Sequence, residues 1–156
     1  MKETIYLGAD HAGFHLKESI REQLLVDGWH VEDLGAKELD PSDDFPVYAK
    51  AVASRVAEGN GMHPGSTLGV LVCGNAQGVC IAANKFDGIR AGIGYSTLAA
   101  RGVREEDNAN VICLPGRVEL EEDPIAILKA FLEAEYRKED RFQRRLGQIM
   151  DIERYN

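Results

Sequence analysis

A cysteine followed directly by a glycine-rich loop is the feature of this sequence with the clearest chemical potential. Cys73 ends the apolar run Leu68-Gly-Val-Leu-Val-Cys73, and the segment Gly74-Asn-Ala-Gln-Gly78 follows it. A run of Leu and Val without polar alternation is typical of a strand buried on both faces of a parallel sheet. Ligands of such sheets bind beyond the carboxyl ends of the strands. We therefore expect a thiol that acts as a base or a nucleophile, beside backbone N–H groups that face an anion.

A carboxylate and an imidazole follow the first apolar run of the chain. The segment Gly8-Ala-Asp-His-Ala-Gly13 has only two of the three glycines of the dinucleotide-binding pattern G-x-G-x-x-G, so that function is not indicated. Asp10 and His11 are a capping residue and a surface histidine in one interpretation. In the other they are ligand-binding residues, because they follow a strand end as Cys73 does.

Arginines are the candidate ligands for an anionic substrate. Arg141 and Arg145 are four residues apart, so on a helix they share a face and suit a phosphate. Arg117 follows the last predicted strand. A charge run of this kind is otherwise a solvated helix face. A cysteine phosphatase with the pattern C-x5-R is excluded, because Val79 occupies the arginine position.

Composition limits the possible partners and surroundings. The 156 residues suit one domain, and the net charge of −8 disfavours nucleic acid and anionic membranes as partners. We expect neither a secretory signal nor a membrane span, because the first residues contain no long apolar segment. Three cysteines, Cys73, Cys80 and Cys113, show no disulfide or metal spacing, which indicates a cytoplasmic protein. Cys80 and Cys113 are expected to be small buried apolar residues.

Strand and helix patterns alternate along the chain and predict one three-layer α/β domain with a five-stranded parallel sheet. The predicted strands are 5–9, 30–34, 68–73, 88–94 and 110–114. The first predicted helix contains Leu16, Ile20 and Leu24 and ends at Gly28, and the second has Pro46 in its first turn and contains Tyr48, Val52 and Val56. A loop is predicted at 59–65, and short helices at 79–84 and 97–101. A further helix is predicted to start at Asp123-Pro124, with Ile125, Leu128 and Leu132 on one side, and the last helix is predicted at 139–153. Asp140 is the expected cap of the last helix, whose residues Phe142, Leu146 and Ile149 are expected to be buried.

Several segments at matching spacing resemble the family of type B ribose-5-phosphate isomerases and galactose-6-phosphate isomerase subunits. They are Gly8–Gly13, Asp44-Phe-Pro46, Cys73-Gly74, Gly78, Ile81-Ala-Ala-Asn-Lys85, Gly88-Ile-Arg-Ala91, Asn108-Ala-Asn-Val111 and Gly116-Arg-Val118. The resemblance covers nearly the whole chain. It implies a Rossmann-like α/β/α sandwich and a homodimer or tetramer whose active sites are shared between subunits. It also implies isomerisation of a sugar phosphate through a cis-enediolate, with neither a metal nor an organic cofactor.

The resemblance further implies roles for individual residues. Cys73 is the base, and the backbone of Gly74, Asn75, Ala76, Gln77 and Gly78 forms the anion hole. Asp10 and His11 contact the sugar, with His11 near the phosphate or the ring oxygen. Arg117, Arg141 and Arg145 hold the phosphate, the last two from the partner subunit. The C-terminal helix, 139–153, is expected to pack on that partner.

The sequence departs from the family pattern where the ring-opening histidine and the asparagine after it are expected. Glu106 and Asp107 occupy those positions, so Glu106 is either the ring-opening acid/base or part of an acidic surface loop. Asn75 and Ala76 also replace the more usual threonine and glycine. Three functions follow. The chain isomerises ribose 5-phosphate, isomerises a tetrose or hexose phosphate, or binds a sugar phosphate without catalysis.

Overall fold

The computed structural model of the chain describes residues 3–156, and its centre is a sheet of five strands. The strands are β1 (Thr4–Ala9), β2 (His30–Asp33), β3 (Thr67–Cys73), β4 (Ala91–Ile93) and β5 (Val111–Pro115). Their order is β2-β1-β3-β5-β4, and every pair is parallel. The predicted five-stranded parallel sheet is confirmed.

Helices cover both faces of this sheet. They are α1 (Phe14–Val26), α2 (Phe45–Met62), α3 (Gln77–Ala83), α4 (Thr97–Asp107), α5 (Pro124–Glu133) and α6 (Asp140–Tyr155). Side chains of α1, α4 and α5 share one apolar cluster with the sheet, and those of α2 and α3 share the other. The predicted three-layer architecture is therefore confirmed. Within residues 3–156, no helix combines the length and the apolar character needed to cross a bilayer.

The central strand β3 explains the apolar run that precedes Cys73. All seven of its residues are buried, because β1 and β5 flank it and helices cover both of its faces. Val70 and Val72 face the α1–α5 side, whereas Leu71 and Cys73 face α2 and α3. The thiol thus lies in the layer between the sheet and α3.

Two helices are longer than the sequence patterns predict. The predicted loop at 59–65 is wrong for its first half, because α2 continues to Met62. A Cβ at Gly59 would lie 2.4 Å from the Thr67 side chain, so this glycine permits close packing inside the helix. The predicted end of α4 at 101 is also wrong. Its last turns bury Arg104, whose guanidinium donates to the Ala109 carbonyl, and the helix ends at Asp107, followed by Asn108 in the left-handed conformation.

The last helix also differs from its prediction. Asp140 lies within the first turn of α6, and Glu139 precedes the helix without a side-chain capping bond. Phe142 is buried as predicted, but Ile149 is 44% exposed. Only α4 packs closely against α6, so the described part of the chain leaves much of this helix uncovered.

Candidate active site

The candidate site lies where two neighbouring strands end. The chain passes from β2 to β3 on the far side of β1, so the strand order reverses between β1 and β3, the usual ligand position in an open α/β sheet. Asp10 and His11 follow β1, and Cys73 ends β3. These three side chains line one cleft of about 420 Å³ together with Gly74, Asn75, Gly78 and Arg117. One chain therefore brings together most of the residues that the sequence singles out.

The backbone at Cys73 and Gly74 is held in place by the two residues that follow β5. The Gly116 amide donates to the Cys73 carbonyl at 2.8 Å, and the Arg117 amide donates to the Gly74 carbonyl at 2.9 Å. Cys73 is only 4% exposed, yet it lines the cleft. A thiol in the wall of a cleft, with little exposure to solvent, can exchange a proton with a bound ligand while it has little contact with bulk water.

The loop after Cys73 presents backbone donors to the same cleft. Asn75 accepts a bond from the Gln77 amide through Oδ1 at 3.1 Å, which fixes the turn into α3. Within residues 3–156, the amides of Gly74, Asn75 and Ala76 donate to no other group. Ala76 has φ 66°, a left-handed conformation that favours glycine and costs an alanine about 1–2 kcal/mol. Such strain is characteristic of functional turns, and this one leaves amides free for a ligand oxygen.

Phe45 closes the side of the cleft that faces α2. A Cβ at Gly78 would lie 2.7 Å from the Phe45 ring, so glycine is the residue that lets the ring lie against the start of α3. Phe45 also lines the cleft with Gly78. The ring therefore supplies an apolar wall opposite the polar turn that follows β1.

Asp10 both holds the turn after β1 and lines the cleft. Its Oδ1 accepts a bond from the Gly13 amide at 3.1 Å, so it stabilises the turn before α1. Its side chain also lines the cleft, although the residue is only 6% exposed. His11, next to it, is not a free surface histidine, because its ring Nδ1 lies 2.6 Å from Asp43 Oδ1.

Asp43 is a residue of this site that the sequence reasoning missed. The same Oδ1 also accepts the His11 backbone N–H at 3.0 Å, and the Asp43 side chain is only 6% exposed. Burial alone raises the pKa of Asp43, but the His11 amide, the His11 ring and the Tyr48 hydroxyl outweigh burial, and the pKa is lowered. No local pattern in the sequence marks Asp43, because it reaches His11 only through the pairing of β2 with β1, which brings the loops after these strands together.

Arg117 places an unpaired cation at the edge of the cleft. Its guanidinium is exposed, and it forms no ion pair or side-chain hydrogen bond with any residue between 3 and 156. A planar guanidinium with free donors suits a phosphate or carboxylate ligand.

Four predicted site residues lie elsewhere in the chain. Glu106 and Asp107 end α4, just before β5 begins at Val111, whereas Cys73 pairs with Pro115 at the other end of that strand. The four steps from Val111 to Pro115 along β5 span about 13 Å, so the end of α4 and Cys73 lie near opposite ends of this strand. Burial and the charge of Glu106 raise the pKa of Asp107, and the nearby Arg145 opposes them. A single chain therefore does not bring Glu106 to Cys73.

Arg141 and Arg145 belong to this second group rather than to the Cys73 cleft. Both lie on α6, and Arg141 donates to Glu139 at 3.1 Å and lies over the Phe142 ring. Asp107 also lines a separate cleft of about 540 Å³ with Arg90, Ile149 and Glu153, and Cys73 has no part in it. A single chain thus carries two groups of candidate residues, one at the carboxyl ends of the strands and the other near their amino ends.

Three potential metal ligands occur together, but their geometry is that of a hydrogen bond. Ligand atoms of Asp10, His11 and Asp43 lie within 4.8 Å of one another. The His11–Asp43 separation of 2.6 Å is shorter than the roughly 3 Å that separates two ligands of one cation. These residues therefore serve as hydrogen-bonding groups here.

Cys80 and Cys113 are buried, as the sequence predicts for both. Burial raises the pKa of the Cys113 thiol well above its usual range, and the neighbouring thiol of Cys80 adds to the effect. Neither residue lines the Cys73 cleft.

The fold and the cleft are those of an α/β protein in which a thiol, free amides and an unpaired arginine lie together at the strand ends. The sequence model of the ribose/galactose isomerase family matches residues 5–149. The chain belongs to this family and is an aldose–ketose isomerase. A probable ribose-5-phosphate isomerase B of Mycoplasma pneumoniae is 40% identical over 154 residues, which cover 99% of this chain and 97% of that protein.

Further relatives extend this likeness to experimental structures. A ribose-5-phosphate isomerase B of Mycobacterium tuberculosis (strain H37Rv) is 39% identical, over 96% of this chain and 90% of that protein. The crystal structure of ribose-5-phosphate isomerase B from Mycoplasma genitalium with bound ribulose-5-phosphate superposes with a TM-score of 0.92 at 37% identity. The superposition covers 100% of this chain and 99% of that one. Fold and family are thus shown over almost the whole chain.

Proposed function

We propose that this enzyme interconverts ribose 5-phosphate and ribulose 5-phosphate, with Cys73 as the base. The observation that carries the proposal is the cleft in which a nearly buried thiol lies beside three free amides and an unpaired arginine. The relatives named ribose-5-phosphate isomerase B, one of them solved with ribulose 5-phosphate, support the substrate.

The chemistry begins with the open-chain aldose in the cleft. The thiolate of Cys73 removes the proton from C2, and the electron pair moves toward C1 to leave an enediolate whose negative charge is on O1. The amides of the 74–78 loop donate to this oxygen, and removal of one such donor costs about 10²–10³-fold in rate. The thiol then returns the proton to C1, and the hydroxyl proton of O2 passes to O1. No metal or organic cofactor takes part in these steps.

The remaining groups bind the substrate. Asp10, which lines the cleft, contacts the sugar hydroxyls, and Arg117 binds the phosphate. A charge-assisted bond from a guanidinium to a phosphate is about twice as strong as a neutral one.

A second subunit completes the site in this proposal. Arg141 and Arg145 of one chain would bind the phosphate held in the cleft of the other, and Glu106 with Asp107 would approach the sugar ring from the same direction. Exposed apolar side chains on α4 and α6 support such an interface: Leu98 is 80% exposed and Ile152 is 68% exposed. We propose a homodimer or tetramer in which α6 packs on the partner, and in which the Glu106 carboxyl opens the furanose ring.

A panel of sugar phosphates tests the function. The purified enzyme is incubated in deuterated water with aldose and ketose phosphates of four, five and six carbons, and deuterium at C1 and C2 is measured by NMR. We expect incorporation and net conversion with ribose 5-phosphate above the other substrates. Preference for a tetrose or hexose phosphate would replace the proposed substrate, and saturable binding without exchange on any substrate would indicate a binding protein.

A further inference from the structure

A buried carboxylate stands behind His11 and has no part in the proposed proton transfer. Asp43 Oδ1 accepts two bonds from the same residue, from the His11 amide at 3.0 Å and from ring Nδ1 at 2.6 Å. The histidine side chain is 25% exposed and that of Asp43 only 6%. The pair is therefore oriented, with the carboxylate inside and the imidazole toward the cleft.

The bond to Asp43 determines which ring nitrogen a ligand meets. The pKa of Asp43 is lowered, since the bonds from the His11 amide and ring, together with the nearby Tyr48 hydroxyl, outweigh the effect of burial, so the carboxylate is ionised at neutral pH. An ionised carboxylate only accepts, so Nδ1 carries the proton of the bond between them. Nε2 is the nitrogen left for a ligand.

The surroundings of His11 favour an anionic ligand. His11 and Arg117 together line the main cleft and an adjoining one of about 300 Å³. The Arg117 guanidinium has no partner in the described part of the chain, residues 3–156. An imidazole nitrogen and an unpaired guanidinium at the junction of two clefts, in a protein of net charge −8, match the phosphate end of a sugar phosphate.

The loop that carries Asp43 is itself fixed by hydrogen bonds. The Asp43 amide donates to the Asp40 carbonyl at 3.2 Å, and Asp40 Oδ1 accepts from the amide and the hydroxyl of Ser42 at 3.0 and 2.7 Å. α2 begins two residues after Asp43, at Phe45. A carboxylate held between a closed turn and a helix start supports His11 in one rotamer.

We propose that Asp43 is a positioning residue, which holds His11 so that the Nε2 edge of its ring, beside Arg117, faces the phosphate of the substrate. The inference rests on the proposed function, because it takes a sugar phosphate as the ligand of this cleft. Asp43 does not touch the substrate. Its effect passes through His11, and it acts on binding of the phosphate rather than on proton transfer at C1 and C2.

The test compares Asp43→Asn with the matched variant Asp40→Asn. Asp43→Asn keeps the size of the side chain but removes its charge, whereas Asp40→Asn removes a charge from the same loop and retains the Oδ1 acceptor for Ser42. Steady-state kinetics with ribose 5-phosphate give kcat and KM, and inorganic phosphate is the competitive inhibitor. For Asp43→Asn we expect KM and the phosphate inhibition constant to rise by about 10- to 100-fold, with kcat within about threefold of wild type. Asp40→Asn should match wild type in all three.

A double variant separates positioning from a structural effect. In the His11→Asn background, Asp43→Asn should change the inhibition constant by less than about twofold, because the residue through which it acts is gone. An equal loss in both backgrounds, or a fall in kcat with unchanged phosphate inhibition, would overturn the inference. If Asp43→Asn does not fold, His11→Asn alone decides, since unchanged phosphate inhibition in that variant would also overturn it.

Failure of this inference differs from failure of the proposed function. Binding of inorganic phosphate needs no turnover. Calorimetry on wild type, His11→Asn and Asp43→Asn therefore reports on both residues even if the enzyme acts on another sugar. Conversely, a wild-type enzyme that isomerises ribose 5-phosphate while Asp43→Asn retains full phosphate affinity would leave the function in place and refute only the role of Asp43.

Discussion

Replacement of Gly13 by alanine tests whether the turn after β1 is held by close contact with β3. Gly13 precedes α1, and a Cβ there would lie 2.6 Å from the carbonyl carbon and oxygen of Val72 and 2.7 Å from Val72 Cγ1. Two of these three atoms are backbone of the central strand, one residue before Cys73, so they cannot move aside by a rotamer change. Overpacking costs about 1–3 kcal/mol, and a backbone clash belongs at the upper end.

We therefore expect Gly13→Ala to lower the free energy of unfolding by about 3 kcal/mol. Activity should fall as well, because the Gly13 amide donates to both Asp10 Oδ1 and the Asp10 carbonyl. Displacement of α1 moves the Asp10–His11 turn, and a shift of about 1 Å in a site costs about 10²-fold in kcat/KM.

Urea unfolding and steady-state kinetics measure these effects, with Gly61→Ala as the control. Gly61 lies in α2, and a Cβ there would meet no atom within 4 Å from the rest of the described chain. Alanine should therefore stabilise the helix by about 0.5 kcal/mol and leave kcat/KM unchanged. The reasoning is refuted if Gly13→Ala unfolds at the wild-type urea midpoint, or if both alanine variants shift the midpoint by the same amount.

Three further perturbations test separate parts of the account. Lys17 is fully buried and lies 2.7 Å from Asp33, so Lys17→Met should lower the free energy of unfolding by about 3 kcal/mol at pH 7. Burial raises the pKa of Asp33 but bonds from Lys17 and the Gly35 amide outweigh it, so the pKa is lowered. The stabilisation by the Lys17–Asp33 pair is fully present above the pKa of about 4 that Asp33 has in the unfolded chain. It is lost as the pH falls through the lower pKa of the folded state, so the urea midpoints of Lys17→Met and wild type should converge in acid. Arg117→Ala should raise KM for ribose 5-phosphate by about 10- to 100-fold, whereas Lys50→Ala, at an exposed position of α2, should not; equal KM values in both would contradict a phosphate site at Arg117. Glu106→Gln should slow ribose 5-phosphate turnover by about 10²-fold yet spare deuterium exchange into ribulose 5-phosphate, which forms no furanose ring because its O5 carries the phosphate. Equal losses in the two assays would remove Glu106 from ring opening.

The sheet and the position of Cys73 could be predicted because each depends on local signals. The apolar run before Cys73 has no polar alternation, and all seven residues of β3 are buried between neighbouring strands and helices. A strand end followed by glycine is also a local pattern, and Cys73 does line the cleft with Gly74. Such signals indicate the end of the parallel strands at which ligands of these sheets bind.

The contacts of His11 could not be predicted, because they join residues 32 positions apart. Asp43 is one acidic residue in an acidic loop, and only the pairing of β2 with β1 brings it to the His11 ring. The predicted length of α4 failed for a related reason, since the burial of Arg104 against Phe131 overrides a polar sequence that is typical of a loop. The spacing of residues in the sequence likewise does not reveal that Glu106 lies near the amino ends of the strands, whereas Cys73 lies at the carboxyl end of β3.

Deuterium exchange into ribulose 5-phosphate is the measurement that tests the role of Cys73 most directly. It requires removal of a proton from C1 but no opening of a ring. We predict that wild type and Cys80→Ala, which loses a buried thiol outside the cleft, exchange at similar rates. Cys73→Ala should lose about 10³-fold or more in exchange while it binds ribulose 5-phosphate within a few-fold of wild type. Exchange by Cys73→Ala at a rate near that of wild type would contradict the central claim.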